Sequence, residues 1–172
     1  MCGRYSLELT YDLFASRYGL EFEYTEYQAS EEIFPTQVQP IIIDGNLLEF
    51  GKWGFTNPHS SKPLINARLE TVIEKPTFKK AFSETRCLIP ATSFFEWEKV
   101  DGEKIKRKIF VEKQKVFSMA GMIRKEEQGI VYTILTMDSN DSLKKVHHRM
   151  PVILQVKDEL RYLNKKHPHK KC

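Results

Sequence analysis

The sequence predicts an α+β protein built on a mainly antiparallel, curled, barrel-like β-sheet with short peripheral helices. Three observations carry that expectation. Strand-like segments outnumber helical ones, most follow one another with no helix long enough for a parallel crossover, and Asp-Gly pairs at 44–45 and 101–102 mark tight hairpins.

The elements follow in order. "LTYDLFASRYG" predicts a short amphipathic helix, with Thr10 as N-cap, apolar residues at 13, 14 and 18, and Gly19 to stop it. After "PTQVQP" the chain turns β-rich: "PIIID" and "NLLEF" flank Asp44-Gly45. Further strands are expected at "RCLIP", "SFFEWEKV", "KRKIFVE", "VFSMAGMI", "IVYTILTM" and "PVILQV", with "DGEK" turning the second hairpin. "KPTFKKAF" and "NDSLKKV" predict short helices opening near Pro76 and near Asn140 or Asp141. There is no internal repeat and no low-complexity linker.

At 172 residues the chain suits a single domain with a real core. Apolar and charged fractions of 41% and 29% are those of a globular protein. No run approaches the ~18 apolar residues of a membrane helix, and Arg4, Glu8 and Asp12 interrupt the place of a secretory h-region. A cytoplasmic location without membrane attachment is therefore expected. Three cysteines, Cys2, Cys87 and Cys172, fit neither a disulfide framework nor a metal site, and Cys87 in "CLIP" reads as core.

The net charge of +4 is unevenly placed. From Lys157 onward six Lys and Arg accompany two acidic residues, which leaves 21 of each sign in the first 156 residues. Any nucleic-acid binding by the body must use a local groove of cations rather than overall attraction. The segment "NKKHPHKKC" reads as a solvated tail.

Cys2 stands directly behind Met1. A residue this small in second place favours removal of the methionine, which leaves an α-amine and a thiol on one residue. Such a 1,2-aminothiol attacks a carbonyl twice and closes a five-membered ring. Four other stretches place polar residues among apolar ones: "WGF" at 53–55, "NARLET" at 66–71, "FFEWE" at 94–98 and "HHRMP" at 147–151. Glu96 beside large aromatics is partly desolvated, which raises a carboxyl pKa and suits it to proton transfer; its plainer reading is an exposed strand residue. His147 and His148 are of a residue type that can act as acid or base, yet a histidine pair in a loop is ordinarily surface. Asn66 and Arg68 share a face on an extended backbone, an amide to position and a guanidinium to grip phosphate. Trp53 between glycines reads either as a stacking platform for an unpaired base or as core.

Taken in order, "CGRYS", "PTQ", "WGF", "NARLET", "RCLIP", "FFEW", "AG" and "HHRMPVIL" resemble the SRAP family, the SOS response-associated peptidases that also shield abasic sites in single-stranded DNA. The resemblance runs from Cys2 to about Val156. It implies a domain over 2–156 and a short basic tail over 157–172, shorter than the C-terminal region that family members commonly carry.

It also implies a function. After loss of Met1, Cys2 captures the aldehyde of an abasic site as a thiazolidine, a covalent DNA-protein cross-link. Asn66 positions the sugar or the Cys2 terminus, Glu96 shuttles protons, and His147 acts as acid or base. Arg4, Arg68 and Arg149 contact flanking phosphates, while Pro35 and Trp53 pack against splayed bases. The expected partner is single-stranded DNA containing abasic sites. No cofactor, metal or membrane is implied, and a monomer suffices for a one-to-one reaction. Two other readings compete: a self-processing cysteine peptidase, and a single-strand binding module without chemistry.

Overall fold

Residues 2–21, 24–44 and 46–164 are described by a computed structural model of the chain. The elements are β1 (Tyr5–Leu7), α1 (Tyr11–Tyr18), β2 (Ser30–Ile33), β3 (Val38–Ile43), β4 (Leu47–Trp53), β5 (Asn66–Arg68), α2 (Pro76–Glu84), β6 (Arg86–Ala91), β7 (Ser93–Val100), β8 (Glu103–Ile109), β9 (Phe117–Glu126), β10 (Gly129–Asp138), β11 (Arg149–Pro151), β12 (Ile153–Leu154) and α3 (Val156–Leu163).

Strands β10, β4, β3, β6 and β9 pair in that order, and β9 pairs back to β10 along six residues, which closes a five-stranded barrel. All of its pairings are antiparallel except β4 with β10. A second sheet, ordered β2-β1-β7-β8, curls over it. The expected fold class is the one found. Closure explains the long apolar runs: Cys87, Leu88 and Ile89 are all buried because β6 has the barrel interior on one face and other elements on the other. At Gly121 of β9 an added Cβ would lie 2.4 Å from Ile89 Cδ1 and 2.9 Å from the Thr133 carbonyl, so only glycine lets the strands approach this closely.

The second hairpin forms as its sequence requires. Val100 pairs with Glu103 across Asp101 and Gly102, whose φ values of 50° and 87° are those of a type I′ turn. At the first, Ile43 pairs with Leu47 around Asp44; Gly45 lies outside the described residues. Helix α1 ends at Gly19 in the left-handed conformation, and α2 begins at Pro76. Thr10 precedes α1 without a side-chain cap.

Two expectations need correction. "NDSLKKV" forms turns rather than a helix: the Asn140 Oδ1 and carbonyl oxygens both accept from the Leu143 N–H, and the chain then bends into His147. "PVILQV" is not one strand. Its register breaks at Val152, giving β11 on β10 and β12 on β9, after which Val156 opens a helix. The basic C-terminal segment accordingly begins as α3, docked by the buried Leu163 and by Arg17 gripping Glu159 through both guanidinium nitrogens. Residues 165–172, where the tail was expected to be solvated, lie outside the described residues. Among the described residues no helix is long and apolar enough to cross a membrane, and no group of His, Cys, Asp and Glu is arranged to hold a metal ion.

An aromatic knot joins the two sheets. The ring of Trp53 lies parallel to that of Tyr132 and meets Tyr5 edge-on with centroids 5.2 Å apart. Tyr5 and Tyr132 share a hydroxyl hydrogen bond of 2.7 Å. On the neighbouring residue, Ser6 Oγ bonds Thr92 and Ser93 at 2.8 and 2.6 Å. β1 is thus pinned at both its faces, which fixes Cys2 three residues upstream.

Candidate active site and nucleic-acid face

Four residues far apart in sequence converge where the N-terminal segment crosses the barrel. β1 pairs antiparallel with β7, Tyr5 opposite Phe94, and Phe95 N–H donates to the Arg4 carbonyl, so continuing the register brings Glu96 alongside the N-terminal segment. Asn66, at the start of β5, is carried in by parallel pairing with Ile134 of β10, and its Nδ2 donates to the Cys2 carbonyl at 2.9 Å. The Asn66 Oδ1 is buried without a hydrogen-bond partner among the described residues. His147 stands just before β11, with Nδ1 4.0 Å from Glu96 Oε1.

The environment sets protonation. Cys2 is fully buried, and its thiol is pushed up to about 12, first by burial and then by the Glu96 carboxylate. Its Sγ rests 3.7 Å from the Arg4 carbonyl. The thiol therefore stays protonated at neutral pH. Glu96 is 3% exposed, on the inward side of a strand whose register the sequence made legible. His147 Nδ1 accepts the Arg149 N–H at 3.0 Å, which leaves the ring proton of the neutral imidazole on Nε2. Cys87 is also buried and its thiol is raised by burial, as its core reading predicts.

Two site expectations are corrected by packing. Trp53 is wholly buried in the aromatic knot, with Nε1 donating to the Ile65 carbonyl at 3.0 Å, so neither ring face is open to a base. Arg149 is 5% exposed and its guanidinium is already engaged by both Glu70 oxygens at 2.8 Å, Asp138 at 2.6 Å and the Thr136 carbonyl at 2.7 Å. It braces the site instead of facing solvent. Glu70 ends the segment that carries Asn66, and Asp138 ends β10, so one guanidinium ties together the supports of Asn66 and His147. Glu70 is held below the usual carboxylate range by Arg149.

The other cationic and aromatic expectations fall on open surface. Arg68 is exposed beside Asn66 and Pro35 is half-buried. Arg4 is half-buried, its guanidinium 3.7 Å above the Phe34 ring and 5.8 Å from that of Trp97. Phe34 is 40% exposed and Trp97 half-buried. Sequence reasoning passed over both. The signal for Trp97 was present, because alternation along "FFEWE" puts it on the face opposite the buried Glu96; nothing local marked Phe34, which meets Arg4 through the pairing of β1 with β2.

The closed barrel thus holds a buried cysteine next to the N-terminus, with an amide, a carboxylate and an imidazole gathered around it. The model of the SOS response associated peptidase (SRAP) family matches residues 1–172, and the chain belongs to that family. It is 37% identical to the abasic site processing protein YoaM of Bacillus subtilis, over 96% of this chain and 80% of the relative. It is 26% identical to the abasic site processing protein HMCES of Xenopus tropicalis, over 79% of this chain and 53% of that protein. Among solved structures, a protein from Bacteroides thetaiotaomicron superposes with a TM-score of 0.85 at 26% identity, covering 97% of this chain and 83% of its own.

Proposed function

We propose that the protein captures abasic sites in single-stranded DNA, forming a thiazolidine cross-link through Cys2 once Met1 is removed, and so shields the lesion during DNA-damage responses. The observation that carries this reading is the convergence of Asn66, Glu96 and His147 on Cys2, the residue that becomes an aminothiol. Relatives named as abasic site processing proteins support the substrate class.

The chemistry balances without an oxidant or a metal. His147 Nε2–H gives its proton to the ring oxygen as the C1′–O4′ bond breaks, and the C1′ hydroxyl loses its proton to solvent, which leaves the aldehyde. The Cys2 α-amine adds to that carbon and water leaves, giving an imine. The thiol then adds to the imine carbon, its proton passing by way of Glu96 to the imine nitrogen, and the ring closes. In this sequence the amine is the first nucleophile and the thiol closes the ring. Asn66 holds the Cys2 carbonyl through Nδ2 and offers Oδ1 to the new ammonium or to a sugar hydroxyl, and holding the reactants together supplies most of the acceleration. Phosphates run past Arg4 and Arg68, and an unstacked base rests on Trp97 and Phe34, which gives affinity without sequence preference. The peptidase of the family name we read as hydrolysis of the Met1–Cys2 bond, which frees the amine. A cytoplasmic monomer is sufficient for all of this.

Intact mass before and after incubation with a single-stranded oligonucleotide bearing one abasic site tests the reading. Loss of the Met1 mass, followed by a heat-stable adduct less one water, is expected. Cys2→Ala should give no adduct while still binding the strand, and an adduct in that variant would sink the proposal.

A further inference from the structure

We propose that Glu32 occupies a phosphate site formed by Arg4 and Lys106, and that a backbone phosphate of the bound strand displaces it. This rests on the reading of the protein as a single-strand binder and adds Lys106 and Glu32 to its binding face.

The geometry is that of a filled anion site. Glu32 on the edge strand β2 accepts from Arg4 Nη1 at 2.7 Å and from Lys106 Nζ at 2.6 and 2.7 Å, so one carboxylate bridges a cation just ahead of β1 and another on β8, the far edge of the same curled sheet. These contacts gather all three side chains at one place on the curled sheet, with Arg4 on the segment leading out of Cys2. Phe34 and Trp97 flank the same guanidinium. A phosphate held here would lie beside rings able to receive its base, one step from the reactive residue. The Glu32 carboxyl is held below its usual range by the Lys106 hydrogen bond and by Arg4, which outweigh the opposing effect of burial, so it is anionic at neutral pH.

The pairing is easily exchanged. Side-chain exposures of 29% for Arg4, 26% for Glu32 and 41% for Lys106 make it a surface ion triad, a weak interaction by itself. A phosphodiester brings the same single negative charge with two free oxygens and suits the Arg fork at least as well as a carboxylate. Strand binding therefore swaps one anion for another without stranding either cation. It also raises the bar for binding: strands that cannot place a phosphate here must compete with Glu32, and the displaced carboxylate repels a loosely held strand.

The test uses non-covalent binding of a fluorescent oligonucleotide without any lesion, read by anisotropy across a salt series. Removing the resident charge in Glu32→Gln should steepen the salt dependence by about 0.7, so an affinity gain of about fivefold near 50 mM salt fades toward about 0.5 M. Lys106→Ala should weaken binding and flatten the slope by about 0.7. A Glu32→Gln variant that binds no tighter, or a Lys106→Ala variant that binds as well as the parent, overturns the proposal. Because Cys2 chemistry plays no part in this readout, absence of an adduct with abasic DNA would remove the functional reading and leave the phosphate site standing. An adduct formed with no Glu32→Gln shift would do the reverse.

Discussion

Arg149 fixes His147 through its backbone: the Arg149 N–H donates to Nδ1 at 3.0 Å, while the guanidinium is buried against Glu70 and Asp138. The tautomer of the His147 imidazole and the placement of the strand behind it thus depend on one residue.

Glu70→Gln removes one charge from this brace. Because the Glu70 side chain is 45% exposed, its share is screened to about 1 kcal/mol, or a melting temperature lower by about 2–4 °C. Adduct formation should slow, because Asn66 and His147 lose a common support. Affinity for an intact strand should not change. If Arg149 instead served as a phosphate ligand, freeing its guanidinium would tighten that binding, and anisotropy separates the two outcomes.

The pH dependence of adduct formation follows from the new amine. With Met1 attached, burial and Glu96 raise the Cys2 thiol to about 12; once Met1 is removed, the ionisation expected to limit attack is that of the freed α-amine. The rate is expected to rise through about 7.7–8.0 and then level. A further limb near ~8.5, the ordinary thiol value, would mean that Cys2 reacts first as a thiolate. Glu96→Gln removes one of the two causes that raise the thiol, yet it should slow ring closure, since the proton loses its relay.

The two tryptophans should separate cleanly. Trp53→Phe loses the hydrogen bond to the Ile65 carbonyl and part of the aromatic knot, at about 1–3 kcal/mol of stability, with strand affinity unchanged under conditions where it folds. Trp97→Ala should weaken strand binding by about 1–3 kcal/mol, the usual worth of one stacked base, with a smaller change in melting temperature. Loss of affinity in the first variant and not the second would reverse these roles.

Much of the fold was legible in local sequence. Asp101-Gly102 could make only a tight turn, and the alternation through "SFFEWEKV" fixed which way Glu96 and Trp97 point. The three- and four-residue strands β1, β2 and β5 were not legible, because they carry too little periodicity and exist only through their partners. "NDSLKKV" has helical composition, but its chain must turn within a few residues to bring His147 onto β11. "PVILQV" has strand composition throughout, and competition between β10 and β9 for its two halves splits it.

The sequence by itself determined the family: Cys2, Asn66, Glu96 and His147 stand in motifs whose order defines it. Tertiary structure decided which of the remaining candidates meet solvent. Trp53 is enclosed by Tyr5 and Tyr132 and Arg149 is consumed by Glu70 and Asp138, whereas Arg4 is left beside Phe34, Trp97 and the Glu32–Lys106 pair. Residue type sets what a side chain can do, but burial and partners are set by contacts between segments distant in the chain, and those arise only when the barrel closes.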